Sequence, residues 1–433
     1  MNEHIDFERL VAGHIVDEGV TPPSDAFYDE LLMRAGGTGQ RPAWLALIKE
    51  APMRTNNHLA VGSPTVRVAA ILAATLLVAV ALAGAGAGAQ RLLAANGPIV
   101  VAQDGSGAYE TINEAVAAAG DGDEILVKPG TYAEVVTIDK DITLRGDGPR
   151  EEVILEFGPD GPFLTTPYGR VPYGLMLVDT EATISDLTVR GPNVAAAFVF
   201  VGGAPTLEGV ADELEGDFGG GPHTSVAVLH GAGGTIRDSH LDGPAWPVDV
   251  RAIPGYEDIS GTGLFLVEDN VSDAGFGFDV TDGSAFLRNT ITDGGGLWPS
   301  VVGGGSVLIA GNDLAEIGFE DGSSDGVTIR DNTIHADGDT QYGIYLGTGA
   351  AVVEGNTISG VQIGIAIPDG AKATITGNQL DGMKVGISVL GAETVPVIED
   401  NRFCGNDLDL RVVEGSSLTL DPSNVICADV ASE

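Results

Sequence analysis

The chain has 433 residues, of which 63 are glycine and only 6% are aromatic, and its formal net charge is −41. The absence of a Gly-X-Y period excludes collagen, and the length favours a repeat architecture or several domains over one compact core. Nearly all of the charge lies after residue 91. It repels nucleic acid, which we exclude as a partner, and it opposes polyanionic glycans unless Ca²⁺ bridges the two.

The first 66 residues predict a small helical segment on the cytoplasmic side. Apolar side chains recur at roughly helical spacing from Ile5 to Ile15, and a second helix is expected to begin at Ser24 after Pro22-Pro23. A regulatory role and an inert tail are both compatible with such a segment.

A run of 22 uncharged residues, from Val68 to Ala89, follows this segment. That length crosses a bilayer as a helix, so we predict one transmembrane helix over 67–89 and a linker over 90–98. Lys49, Arg54 and Arg67 precede the run, and Arg91 alone follows it closely, which favours a cytoplasmic N-terminus and an extracytoplasmic C-terminal part. A cleaved secretory signal is the alternative, but 66 residues is too long a leader for one.

This layout resembles that of membrane-bound anti-sigma-like proteins, which place a short helical cytosolic domain before one span and an external domain. The resemblance implies a membrane sensor. The zinc-binding His and Cys pattern of many such domains is missing, since no cysteine precedes Cys404.

Residues 111–119 predict a short helix that closes the first coil of the exported part. Thr111 and Glu114 form a capping box before the Ala-rich segment EAVAAA. Ile112, Val116 and Ala119 are then expected to cover the core.

From residue 266 the sequence repeats visibly, with an asparagine in the same frame of each repeat. The steps between successive asparagines run from 19 to 24 residues. These residues are Asn270, Asn289, Asn312, Asn332, Asn356, Asn378 and Asn401.

Each asparagine has an apolar residue three positions before it, and six of the seven have another two positions after it; Ser272 is the exception. This spacing is typical of a parallel β-helix, in which apolar side chains point inward on both sides of a corner. Asparagine suits the corner because it tolerates the left-handed region, and stacked asparagines can form a hydrogen-bonded ladder. We therefore predict an all-β, right-handed parallel β-helix over 99–433, with weaker coils before residue 266.

Two cysteines, Cys404 and Cys427, are 23 residues apart, about one coil. In an exported chain they can form a disulfide across the last coils, although buried unlinked thiols fit the sequence equally well. No Cys/His cluster with metal-ligand spacing occurs, so no metal site is predicted. Asp121, Asp123 and Glu124 could bind Ca²⁺, but they lack the spacing of a calcium loop.

Residues 99–148 resemble the opening of the pectin-lyase-like superfamily, and pectinesterases in particular. The similar pieces are DGSGAYETINEAVAA, ILVKPGTYAE and ITLRGDG, and the later coils are similar to the parallel β-helix repeats of polysaccharide lyases, epimerases and a periplasmic copper-maturation family. The resemblance implies the β-helix fold. It does not imply a reaction, because GPAWPVD at 243–249 lacks the Arg of a pectinesterase motif and Gly221-Pro222-His223 lacks the Asp of an epimerase motif.

Any binding site is expected in the irregular coils at 212–300, where loops leave the regular frame. Lyase or epimerase chemistry there would need a base and a cation, which His223, His230, His240, Asp249, Arg251, Tyr256, Asp279 and Asp282 could supply. Exposed Trp and Tyr rings can stack on sugar faces. The residues predicted to bind substrate are Trp246, Asp249, Tyr256, Asp279 and Trp298.

The sequence therefore predicts a single-pass membrane protein whose extracytoplasmic β-helix binds a polysaccharide or cell-envelope glycan without a catalytic motif and without a required cofactor. The first alternative is a polysaccharide-active enzyme, a lyase, hydrolase or epimerase, that acts through the middle coils. The second is the anti-sigma-like sensor.

Overall fold

The structure, a computed structural model, describes residues 97–427 except for short gaps and one longer gap at 248–262. The short gaps are 167–168, 193–194, 216–223, 230–231, 244, 278, 303, 320–322, 392–393, 414–417 and 419. The described residues contain no helix long and apolar enough to cross a membrane. The predicted helical segment at 1–66 and the predicted span at 67–89 lie outside them.

Three parallel sheets, here called A, B and C, run along the molecule, and successive strands of the chain visit them in turn. Sheet A consists of Ile99–Val101, Glu124–Val127, Thr143–Gly146, Thr183–Ser185, Thr206–Glu208, Gly234–Arg237, Phe265–Glu268, Ala285–Leu287, Val307–Ala310, Val327–Arg330, Val352–Glu354, Thr374–Thr376 and Val397–Glu399. Sheet B consists of Gly130–Ala133, Val153–Glu156, Thr188–Pro192, Ala211–Glu215, His240–Leu241, Val271–Ser272, Thr290–Ile291, Asp313–Leu314, Thr333–His335, Thr357–Ser359, Gln379–Asp381, Arg402–Cys404 and Val425–Ile426.

Sheet C consists of Val136–Ile138, Gly169–Val178, Ala196–Val201, Thr224–Leu229, Ala245–Pro247, Gly275–Phe276, Gly296–Leu297, Glu316–Gly318, Tyr342–Tyr345, Ile363–Ile367, Val385–Val389 and Leu408–Val412. Three further strands among the described residues lie off this path: Phe163–Thr166 pairs antiparallel with Gly169–Val178, and Asp279–Val280 pairs with Ser300–Val301. This arrangement of parallel strands is the predicted parallel β-helix.

The core of the β-helix is a set of apolar columns, because strands in register place the same inward position of every coil one above another. The apolar residues three before each ladder asparagine stack in sheet A, as Phe286, Ile309 and Ile329 illustrate, and they are almost fully buried. The apolar residues two positions after each asparagine stack in sheet B. The predicted inward positions are thereby confirmed, and Ser272, the exception in the pattern, is buried as well.

The corner from sheet A to sheet B differs from the prediction in one respect. The residue in the left-handed region is the one before the asparagine, such as Asp331 at φ 56° or Gly355 at φ 66°, and not the asparagine itself. Asp and Gly fill most of these positions because they adopt this region at the least cost. The asparagine is left free to turn its side chain inward.

The inward side chains form a ladder of amides. Asn312 donates from both its backbone N–H and its Nδ2 to Asn332 Oδ1, each at 2.9 Å, and its Nδ2 also donates to the carbonyl of Phe286 in the coil before. The same three bonds recur along the stack, which begins at Ser239 and extends one rung beyond the predicted set. Its asparagines are Asn270, Asn289, Asn312, Asn332, Asn356, Asn378, Asn401 and Asn424.

Each end of the described coil has its own closing device. The helix Ile112–Ala118, which we call α1, covers the first coil with Ile112, Ala115 and Val116, and Thr111 caps it as predicted. Glu134, which follows the strand Gly130–Ala133, adds a second cap by accepting hydrogen bonds from the first backbone N–H groups of α1. At the other end a disulfide joins Cys404 to Cys427, with Cα atoms 4.9 Å apart.

Candidate functional site

The structure places the five predicted substrate-binding residues in different situations. Trp298 is half-buried on the outside of the coil, next to sheet C. Asp279 is exposed on its short strand. Trp246 lies on the sheet C strand Ala245–Pro247, and Asp249 and Tyr256 lie outside the described residues. The structure therefore does not show these five residues gathered in one groove.

Trp298 forms a cleft with residues of the next two coils. Parallel pairing sets Leu297 beside Ile317 and Gly318 beside Tyr345, so the outward side chains of three coils converge. The cleft has a volume of about 260 Å³. Its lining consists of Trp298, Glu316, Ile317, Gly318, Tyr342 and Tyr345.

Local contacts fix the orientation of the aromatic rings in this cleft. The indole Nε1 of Trp298 donates to Glu316 Oε1 at 2.8 Å. Gly318 lies against the indole so closely that a Cβ there would be 3.0 Å from the Trp298 ring. The rings of Tyr342 and Tyr345 are 5.0 Å apart and inclined at 52°. The result is a set of aromatic faces beside a carboxylate.

Sequence reasoning identified Trp298 but missed Glu316, Tyr342 and Tyr345. These three residues follow Trp298 by 18 to 47 positions, so only the coil register brings them together. A signal was present, because the asparagine frame fixes which coils are neighbours. The binding site was predicted within 212–300, and Glu316 and both tyrosines lie outside that range.

A buried carboxyl group lies in the irregular coils, at Asp212. Its side chain occupies an inward position of sheet B, opposite the apolar Val189, and is 1% exposed. Ser225 donates to its Oδ2 at 3.0 Å, and the backbone N–H of Asp242 donates to its Oδ1 at 3.1 Å. Burial, and then the charge of Asp242, raises the pKa of Asp212 to about 8. The carboxyl is therefore mainly protonated at neutral pH and enclosed by the coil.

Donor atoms of His240, Asp242 and Asp273 lie within 4.8 Å of one another near the Asp212 carboxyl. One imidazole and two carboxylates suit a divalent ion. The three side chains are half-exposed, and Thr292 already donates to Asp273 Oδ1 at 2.8 Å, so we assign no metal to them.

The predicted calcium candidates have structural roles in their own turn. Asp121 accepts the backbone N–H of Asp141, Asp123 accepts that of Gly120, and Glu124 is paired with Arg145. Asp282 has a similar role, since its Oδ1 accepts the backbone N–H of Ser306 at 2.7 Å.

A wider groove of about 610 Å³ lies beside the first coils, along sheet B. It contains Glu134, which caps α1, and Arg190, which is paired with Glu213. Phe157 is 5% exposed beneath Gly174 and Gly191, so the groove offers no open aromatic face. Glu134 and Arg190 already have structural partners, and the cleft at Trp298 remains the stronger candidate.

Two family models match separate parts of the chain. Residues 98–159 match the model described as "Pectinesterase", and residues 267–425 match the model described as "Periplasmic copper-binding protein (NosD)". The first covers the opening coils with α1, and the second covers the regular coils with the asparagine ladder. No curated protein sequence matches the chain at a significant level.

Several solved structures match the chain at low sequence identity. The A-module of a mannuronan C-5 epimerase from Azotobacter vinelandii has 14% identity, a TM-score of 0.47, and coverage of 73% of this chain and 93% of its own. The surface adhesin PfbA of Streptococcus pneumoniae has 14% identity, a TM-score of 0.43, and coverage of 71% and 89%. Pectin methylesterase PemA from Erwinia chrysanthemi has 12% identity, a TM-score of 0.32, and coverage of 77% and 93%.

Both family-model matches agree with the resemblance to the pectin-lyase-like superfamily seen in the sequence. The three stacked parallel sheets agree with it as well. The chain is a parallel β-helix protein of the pectin-lyase-like superfamily.

Proposed function

We propose that this protein binds carbohydrate through the cleft at Trp298, on a β-helix that the transmembrane helix predicted at 67–89 anchors outside the membrane. The main support for this binding site is the convergence of Trp298, Tyr342 and Tyr345 beside Glu316. The uncharged run and the distribution of Lys and Arg around it support the anchor and its orientation.

The cleft has the chemistry that a sugar ring requires. The faces of pyranose rings are lined with C–H groups, which pack on aromatic rings, while their hydroxyls need hydrogen-bond partners at the edge. Glu316 and Gln341, which donates to the Tyr342 hydroxyl at 2.8 Å, supply such groups at the margin of the aromatic faces. Because a strand of the coil holds each tyrosine, the rings are fixed before a ligand arrives, which reduces the entropy lost on binding.

The test is a binding measurement on a panel of oligosaccharides with the full-length chain and Trp298→Ala. Loss of the indole should weaken binding about tenfold, since a stacked aromatic face contributes on the order of 1–2 kcal/mol. Trp298→Phe should restore part of the affinity, because it keeps an aromatic face but lacks the N–H that holds Glu316.

Phe163→Ala is the matched control, since Phe163 is an exposed aromatic residue on another part of the β-helix. It should leave affinity unchanged. Equal affinity of the wild type and Trp298→Ala for every sugar that binds would exclude this cleft. Release of reducing or unsaturated ends during incubation would instead show a catalytic protein.

A further inference from the structure

We infer that the cleft selects amine-bearing sugars over neutral ones, and neutral ones over uronates, with Glu316 as the residue that discriminates. This inference rests on the proposed carbohydrate site and specifies its ligand. It starts from the chemistry of the cleft: among the described residues that line it, Glu316 is the only one with a carboxyl or basic side chain.

The position of Glu316 makes its charge relevant to a bound sugar. The carboxylate is half-buried and lies at the start of the strand Glu316–Gly318, directly beside the Trp298 indole. The hydrogen bond from Trp298 Nε1 orients the carboxylate at the edge of the indole. A ligand stacked on Trp298 therefore lies within a few ångströms of the Glu316 carboxyl group.

The aromatic faces favour the same kind of ligand. Trp and Tyr rings attract a cation placed over their faces, and the attraction grows when water is displaced from the cleft. A protonated sugar amine would meet both the ring faces of Trp298, Tyr342 and Tyr345 and the Glu316 carboxylate. A uronate carboxylate would be repelled by both.

The field of the whole molecule adds to this local effect. The formal net charge of −41 lowers the local concentration of polyanions and raises that of cationic oligomers. This long-range part is screened by salt over about 8 Å at physiological ionic strength, whereas the close contact with Glu316 is screened much less. The two contributions can therefore be separated by measuring affinity against ionic strength.

The experiment compares three tetramers, of glucosamine, N-acetylglucosamine and galacturonate, by calorimetry with the full-length chain and Glu316→Gln. For the wild type we expect affinities in that order, with about a tenfold step between the amine and the neutral tetramer. Glu316→Gln should weaken glucosamine binding about tenfold, strengthen galacturonate binding, and leave N-acetylglucosamine nearly unchanged. The differences should persist at 0.5 M salt, unlike the long-range part.

Glu399→Gln is the matched control, because it makes the same change in net charge on an exposed position of sheet A. It should shift all charged ligands slightly and only at low salt. Tightest wild-type binding of galacturonate, or an unchanged ranking in Glu316→Gln, would overturn the inference. If Trp298→Ala still weakened binding in that case, the carbohydrate site itself would stand; if Trp298→Ala had no effect, the carbohydrate site would be excluded as well.

Discussion

At the scale of single residues, the fold is specified by polar groups in an apolar interior. The ladder asparagines are at most 1% exposed from Asn270 to Asn401, and their amides bond to neighbouring rungs and to backbone carbonyls. Buried amides are tolerated only when they are satisfied in this way, since an unpaired buried donor or acceptor costs about 1–3 kcal/mol. Because each buried amide is fully hydrogen-bonded only when neighbouring coils are aligned, the ladder also fixes the register of the coils.

Asn332→Ala should be strongly destabilising because it interrupts the middle of the ladder. It removes the acceptor used by the backbone and side chain of Asn312 and leaves the Ile309 carbonyl without its donor. We expect a loss of about 2–4 kcal/mol in the free energy of unfolding, measured by urea titration. Asn424→Ala, at the partly exposed last rung, should cost clearly less; equal losses would contradict the role of burial.

Asp212 makes stability depend on pH with the opposite sign from a salt-bridged carboxylate. Its pKa is about 8 in the folded state, against 3.8 for an ordinary carboxyl. Below about pH 4 the group is protonated in both states. Between about pH 4 and pH 8 only the unfolded state releases the proton, so the free energy of unfolding falls as pH rises and levels off above pH 8.

Asp212→Asn isolates this effect, because the amide stays neutral and keeps an acceptor for the Asp242 N–H. The variant should be close to wild type in stability near pH 4 and more stable by a few kcal/mol, as an order of magnitude, near pH 8. Comparing the two proteins by chemical denaturation across this range cancels the contributions of the carboxyl groups that do not interact with Asp212. A constant difference at every pH would mean that Asp212 ionises normally.

At the scale of elements, the corner between sheets A and B decides which residues a coil accepts. Asp precedes the ladder position at five corners of the described coils, at Asp186, Asp238, Asp269, Asp331 and Asp400, with φ near 55°. Glycine occupies Gly209, Gly311, Gly355 and Gly377, and Arg288 is the exception. The preference follows from the cost of the left-handed region, which short polar side chains offset by local hydrogen bonds.

Gly377 offers a direct test of the corner, because a Cβ there would have its nearest neighbour at 3.7 Å and would not clash. Gly377→Val should lose about 1–2 kcal/mol from backbone strain alone. Gly377→Asp should lose much less, since Asp stands at the equivalent position of five other coils. Melting temperatures of the two variants would report the difference, and similar losses would show that packing rather than φ sets the preference.

The coil frame could be predicted from sequence because apolar–Asn–apolar triplets recur at fixed offsets, and the helix cap could be predicted from Thr111 and Glu114. The exact left-handed position could not be predicted, since Asp, Gly and Asn all tolerate it and two of them are adjacent at six of the seven predicted ladder corners. Asn424 escaped the pattern because Asp421, not an apolar residue, stands three positions before it. The cleft escaped because its partners meet only through register, across loops of unequal length.

At the scale of the whole molecule, stability is a sum over neighbouring coils, so the ends matter most. α1 and Glu134 close one end, and the disulfide between Cys404 and Cys427 fastens the strand Val425–Ile426 to the coil before it. That last strand is more than half exposed and would have little else to hold it than the Asn401–Asn424 rung and its backbone bonds.

Reduction of the disulfide should therefore loosen the C-terminal coil first. The bond closes a loop of 23 residues, and its loss is expected to cost about 3 kcal/mol. Hydrogen exchange should show faster exchange at 402–427 after reduction, or in Cys404→Ser/Cys427→Ser, while the amides of 307–380 keep their protection. Uniform loss of protection along the chain would instead indicate that the solenoid unfolds as one unit.

The repeated hydrogen bonds of the ladder also define the unit by which this protein can change length during evolution. Every rung makes the same bonds to the next, so excision of residues 355–376 would join Glu354 to Gly377 and let Asn378 take the place of Asn356 against Asn332. A deletion one residue longer or shorter at this corner would displace the asparagine from its inward position, unless a loop outside the frame absorbed the difference. Relatives of this chain should therefore differ in length by whole coils, and insertions of other sizes should be confined to the loops outside the frame.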